Sequence, residues 1–251
     1  MGLLSDMQRS SLARARAART QRSEVELRAA ARAAPPPLRL RGAAAGFDLI
    51  AELKLRSPAA GNLATHTLDP LVRLDAYARG GATLISVLTE PERFDGSLEH
   101  LALAADRMRA HGVPVMRKDF LVDPYQVVEA RAHGAAGVLL IIRLVDRARL
   151  VEMLDCAAEL NLFVLLEAFD ADDLETLAID FDRFERLHAE LPARWPAVAE
   201  SGVVEPVDAA RVAALGYRYA LVGTGLMQRA DPESAVTALL AAGRRAVGAS
   251  A

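Results

Sequence analysis

Two lysines stand out in this chain. Lysine and arginine together number 30, yet lysine occurs only at Lys54 and Lys118, which leaves 28 arginines. A chain that meets its surface-charge needs with arginine has no solvation reason to put lysine at either place. Lysine is a compact ammonium whose pKa burial and neighbours can move, so it can deliver a proton where arginine stays charged. Both lysines follow short apolar runs, and so do Glu52, Glu167 and Glu200. Ammonium and carboxylate groups gathered at one mouth provide a general acid and a general base. Shared burial and mutual charge draw their pKa values toward neutrality. A structural ion pair is an equally good reading of any one such pair; five groups, with both lysines among them, favour chemistry. Gly202 and the turn Gly223-Thr224-Gly225 suggest a phosphate site, because glycine lets backbone N–H groups approach an anion closely. A lone G-T-G turn is equally at home in any strand-to-helix connection. Ser57 adds a hydroxyl just beyond Lys54. Asp119 reads as support for Lys118, Phe120 as similar support or as an apolar wall, and Trp195 as packing.

The elements that must carry these groups alternate regularly. Continuous apolar runs at 47–53, 83–88, 113–116, 137–142, 163–166, 197–199 and 219–222 have the pattern of strands buried on both faces of a parallel sheet. Helical stretches at 70–79, 98–110, 124–133, 146–160, 181–191, 206–215 and 232–247 separate or follow them. Asp69-Pro70, Asp123-Pro124 and Asp231-Pro232 each set a capping residue before proline at a first helical position. Every candidate group falls at the C-terminal end of a run. A barrel brings those ends to one face, where barrel active sites lie, whereas an open sheet spreads them along a line. No G-x-G-x-x-G follows a strand, which counts against dinucleotide binding. The expectation is an α/β fold, a (β/α)8 TIM barrel over residues 47–251. Residues 1–46 precede it as a long N-terminal helix halted by Pro35-Pro36-Pro37 and a proline-rich connector.

Composition narrows the function classes. The chain has 251 residues, a formal net charge of −3 and 52% apolar residues. That balance argues against nucleic acid or an anionic membrane as partner. No apolar run approaches the roughly 18 residues of a membrane span. The single Cys156 cannot form an internal disulfide, and no Cys/His cluster has metal-site spacing, so no metal is expected. The Arg-rich start resembles a targeting peptide, but Asp6, Glu24 and Glu26 argue against one, and the expected location is the cytoplasm.

The strings AELKLRSP from Ala51, SVLTE from Ser86 with FDGS from Phe94, and RKDF from Arg117 resemble the indole-3-glycerol phosphate synthase family. So do Leu166-Glu167, Ala199-Glu200-Ser201-Gly202 and Val222-Gly223-Thr224. The resemblance covers almost the whole chain, including the N-terminal helix, and implies a (β/α)8 barrel. It further implies closure of the indole ring of 1-(2-carboxyphenylamino)-1-deoxyribulose 5-phosphate with release of carbon dioxide and water, and no cofactor. By the same resemblance Lys118 is the general acid and Glu167 a base or charge stabiliser. Lys54, paired with Glu52, lies near the substrate carboxylate. Glu200 and Ser201 meet the sugar, and Ser57, Gly202, Gly223 and Thr224 the phosphate side.

One stretch departs from the family. Its sixth strand carries an Asn-Asn-Arg-Asp-Leu type string whose Asn and Arg reach the substrate, and no such string occurs here. Between 163 and 197 lie only the helix-like stretches 170–178 and 181–191 and a weak strand candidate at 177–180. About 20 residues, the core of one βα unit, are missing by the size of such units. A barrel short of one strand has two unpaired edges. Two alternatives therefore stand beside the synthase reading: another phosphate-binding barrel lyase, for example one working through a lysine Schiff base, and a non-catalytic or impaired barrel that binds a phosphorylated ligand.

Overall fold

The computed structural model describes residues 2–42, 46–58, 61–63, 69–168, 181–192 and 194–249. Its sheet has seven strands: β1 (Asp48–Leu53), β2 (Leu84–Leu88), β3 (Val115–Lys118), β4 (Gly137–Ile141), β5 (Phe163–Glu167), β6 (Val198–Glu200) and β7 (Tyr219–Val222). Every pairing is parallel, in the order β5-β4-β3-β2-β1-β7-β6. This is a ring order cut once. The last strands return to the free side of β1, as a barrel requires and a doubly wound sheet does not. The cut falls between β5 and β6, where the sequence lacks one unit. All of β1, β2 and β4 is buried, while β5 and β6 are largely half-buried and Leu166 is 47% exposed. The expected barrel is present with its expected shortening. The stretches 170–178 and 177–180 lie outside the described residues.

Helices α3 (Pro70–Arg79), α4 (Leu98–Arg109), α5 (Pro124–Ala132), α6 (Arg147–Glu159), α7 (Phe181–Glu190), α8 (Pro206–Ala214) and α9 (Pro232–Ala249) flank the sheet. Their starts follow from local chemistry. Asp69 accepts a hydrogen bond from Leu71 N (2.8 Å), Asp123 from Tyr125 N (2.9 Å) and Asp146 from Arg149 N (2.8 Å), satisfying amides that have no helical partner. Two apolar clusters then divide the strands by their period of two. Leu49, Ala51, Ile85, Val87, Val138, Leu140, Ala220 and Val222 pack outward with the helices. Ile50, Leu84, Met116, Leu139, Ile141, Tyr219 and Leu221 pack inward against one another.

The N-terminal segment is a pair of helices, α1 (Leu3–Gln21) and α2 (Glu24–Ala33), rather than the single long helix the sequence suggests. Ser23 breaks it. Its backbone is extended, and it forms a capping box in which Ser23 Oγ accepts from Glu26 N and Glu26 Oε2 accepts from Ser23 N at 3.0 Å. Sequence also gives no warning of the small hairpin of Arg56–Ser57 with Gly61–Asn62, or of the helical turns Pro91–Phe94 and Thr224–Met227. Trp195, expected to pack, is 67% exposed, with Arg194 over its ring.

Asp75 ties α3 to the end of α4, accepting from Arg107 Nε at 2.8 Å and lying 3.0 Å from His111 Nε2. The Arg107 hydrogen bonds hold its carboxyl down at about 2. A folded-state value below the unfolded one of about 3.9 gives stability that is present above about pH 4 and lost as pH falls through about 2. Asp75→Asn is therefore expected to lower stability at neutral pH by about 1 kcal/mol, discounted for the exposure of Arg107, and to flatten the acid limb in urea unfolding. An acid limb identical to that of the unaltered chain would refute this.

Candidate active site

The inward period of the strands builds the site. Glu52, Lys118, Glu167 and Glu200 each lie two residues beyond an inward apolar residue: Ile50, Met116, Leu165 and Val198 respectively. Ser86 and Gly223 stand at the same level, two beyond Leu84 and Leu221. A layer of hydrocarbon thus floors a layer of charge at the C-terminal mouth.

Glu52 is the hub. Its side chain is 2% exposed, with Lys54 Nζ 3.2 Å from Oε1 and Lys118 Nζ 3.4 Å from Oε2. Lys118 also contacts Glu200 Oε1, so β1, β3 and β6 meet through one ammonium. Burial alone would raise the Glu52 pKa, but the charges of Lys118 and Lys54 outweigh it and hold the carboxyl below its usual range. Glu52 Oε2 meets Lys118 as an ion pair and has no partner in hydrogen-bond geometry among the described residues. Glu167 responds in the opposite sense: burial pushes its carboxyl up, with Glu52 adding to the rise and Lys118 opposing it. Two glutamates in one mouth thus take opposite protonation tendencies. That separation suits an acid–base site.

Gly223 is required by this packing. A Cβ there would lie 2.3 Å from Glu52 Oε1 and 3.3 Å from Lys54 Nζ. At Gly225 a Cβ would lie 3.2 Å from Val204 Cγ1, so the turns after β6 and β7 pack against each other. In the first of these turns Ser201 and Gly202 both have positive φ, 68° and 84°. A left-handed serine is strained, and such strain is stored at sites where the backbone must be held in place. Thr224 is half-buried, and Ser201 is exposed. Ser57 is buried in the hairpin after β1, and Phe120 is half-buried with its ring centre 6.2 Å from that of Phe94. Ser57 and Phe120 stand outside the ion network among the described residues.

The sequence points to Asp119 as support but not to the groups that fix it beside Lys118. Asp119, its neighbour, is wholly buried and accepts from Arg117 Nη2 (3.0 Å), from Thr89 Oγ1 (2.7 Å) and from its own neighbour Phe120 N (2.8 Å). Arg14 of α1 closes the set with bonds of 3.0 and 2.8 Å to the two carboxyl oxygens. Arg117, Arg14 and Thr89 together overcome burial and hold Asp119 far below the carboxylate range. Arg19 grips Asp123 in the same bidentate way at 2.8 and 2.7 Å. The N-terminal helix is thereby fastened to the strand that carries Lys118. Among 28 arginines nothing in the sequence singles out Arg14.

An incomplete ring of parallel strands with flanking helices is a TIM-barrel-like α/β fold, and its lysines and glutamates gather at the C-terminal mouth, where barrel active sites lie. The family model of indole-3-glycerol phosphate synthase matches residues 4–177 and 170–239, two pieces that share 170–177. A synthase of that name from Mycobacterium leprae (strain Br4923) is 44% identical over 239 residues, covering 87% of this chain and 86% of its own. One from Mycobacterium tuberculosis (strain CDC 1551 / Oshkosh) is 43% identical with the same coverage. The chain belongs to the indole-3-glycerol phosphate synthase family. Since 87% of 251 residues is about 218, some 20 of the 239 aligned positions have no counterpart here. The fold is also similar to the crystal structure of 3-hexulose-6-phosphate synthase, with a TM-score of 0.59, 17% identity, and coverage of 78% of this chain and 99% of that one.

The close fit at Gly223 is testable. Gly223→Ala is expected to displace the Glu52–Lys54 pair, lower kcat by about a hundredfold, the scale of a misplaced catalytic group, and lower the stability read from urea unfolding by the roughly 1–3 kcal/mol that overpacking costs. Full activity in Gly223→Ala would show that the Glu52–Lys54 pair does not depend on this contact.

Proposed function

We propose that this chain converts 1-(2-carboxyphenylamino)-1-deoxyribulose 5-phosphate to indole-3-glycerol phosphate with loss of carbon dioxide and water. The observation that carries the reading is Lys118 held between Glu52 and Glu200, with a second glutamate, Glu167, of opposite pKa tendency in the same mouth. Ring closure joins the aromatic carbon bearing the carboxylate to the ketone carbon and builds negative charge on the ketone oxygen. Lys118 donates a proton to that oxygen as the charge develops. Loss of carbon dioxide leaves its bonding electrons in the ring and restores aromaticity. Dehydration then needs a proton for the departing hydroxyl and a base for the neighbouring carbon. Lys54 and Glu167 stand for these two tasks, with Glu52 orienting both lysines. Every step is a proton transfer or a shift of bonding electrons within the substrate.

We assign Glu200 and Ser201 to the sugar hydroxyls, Ser57 to the phosphate side and Phe120 to an apolar wall of the pocket. The adjoining turns at Gly202 and Gly223-Thr224 take the phosphate, with Gly202, Thr224 and Gly225 N–H groups free of partners among the described residues. We place the enzyme in the cytoplasm, and among the described residues no helix is long and apolar enough to cross a membrane.

Among the described residues β5 and β6 are the two terminal strands of the sheet, which favours one competing reading, a barrel that binds the phosphorylated ligand without turning it over. Indole fluorescence during incubation with the substrate separates the two. The synthase reading expects turnover, reduced 10²–10⁴-fold by Lys118→Ala. Glu167 acts as a base only when ionised, so the acid limb of kcat should lie above the ordinary glutamate value of about 4.3 and disappear in Glu167→Gln. A flat trace from a folded chain that still binds the substrate would select the non-catalytic reading.

A further inference from the structure

Arg73 is among the largest fully buried side chains and has no carboxylate partner among the described residues. It lies on α3 and is 2% exposed. Its Nη1 donates to Leu226 O at 3.0 Å and to Arg229 O at 3.2 Å. Leu226 O lies in the helical turn Thr224–Met227 that opens with the proposed phosphate contacts, and Arg229 O lies two residues beyond its end. One helical turn further along α3, the Tyr77 hydroxyl donates to Met227 Sδ at 3.6 Å. From the other side Arg229 pairs with Glu205, which precedes α8, so the segment after β7 is held both from beneath and from its flank.

An apolar side chain of similar volume would fill this space with less desolvation, so a guanidinium buried against carbonyls alone needs another reason for its charge. The anion above it supplies one. The carbonyl end of a short turn is its negative end, and a cation there steadies the turn. The same unneutralised charge also raises the potential where a dianion is to sit.

We infer that Arg73 is a positioning residue for the phosphate end of the substrate. It fixes the 223–229 segment so that the Thr224 and Gly225 amides remain in place for the anion. The inference rests on the phosphate reading above and adds the group that enforces it. Part of the phosphate affinity would then reside in the contact between α3 and the segment after β7, one strand in from the edge strand β6.

The test uses the full chain and two probes, the phosphorylated substrate and inorganic phosphate as a competitive inhibitor. Arg73→Met is expected to raise KM and weaken the phosphate Ki together, each by about tenfold, the scale of one hydrogen bond to a charged group. Its kcat should stay within about twofold, and binding of the dephosphorylated substrate should not change. Should Arg73→Met fail to fold, Arg73→Lys keeps the buried charge on a single donating nitrogen, and should show the same pattern at smaller size. A general structural role would instead lower kcat, or weaken the dephosphorylated substrate as much as the phosphorylated one. A folded variant with unchanged KM and Ki would overturn the inference. If phosphate fails to compete even in the unaltered chain, the phosphate assignment of these turns falls, and the role given to Arg73 falls with it.

Discussion

A carboxylate with 2% of its side chain exposed must be neutralised where it stands, and at Glu52 that requirement organises the mouth of the barrel. Two lysines answer it, one from beyond β1 and one from the end of β3. Because Lys118 also reaches Glu200 on β6, the network crosses the barrel instead of running along one edge. The spatial order of the strands, the inward period of two and the absence of a side chain at Gly223 all serve this arrangement. Displacing any of them would leave a buried charge without its partner.

The same network bears on the missing strand. Losing one unit leaves β5 and β6 unpaired with each other and thins the packing along both. Glu167 and Glu200 stand at the ends of those edge strands, yet both remain within the electrostatic reach of Lys118. The opposite side of the ring is far more firmly held. There α1 fastens to β3 through Arg14 and Asp119, and to α5 through Arg19 and Asp123. The structure therefore concentrates its rigidity on the strands that carry the lysines and accepts looser packing where it has two edges.

Much of this was legible in the chain itself. Scarcity marked Lys54 and Lys118, and the strands could be read because parallel strands buried on both faces are continuously apolar. The resemblance located the shortening through a string that should have been present and was not, and the two-piece family match and the cut in the sheet fall at the same place. Other features were hidden for physical reasons. Ser23 divides the N-terminal helices through a side-chain cap whose effect depends on Glu26 folding back, which a run rich in alanine and arginine obscures. Arg14 and Arg73 look like any other arginine until tertiary structure brings Asp119 to one and a set of carbonyls to the other. Long-range partners of an abundant residue type leave no local pattern to read.

The most direct test of the central claim is a carbon-13 NMR titration of the glutamate carboxyls in the folded chain. Glu52 is expected to titrate below the usual glutamate value of about 4.3 and Glu167 above it, and the Glu52 value to rise when Lys118 is replaced by alanine. Both carboxyls titrating at the ordinary value, or a Glu52 indifferent to the loss of Lys118, would contradict the claim that one buried carboxylate organises the site.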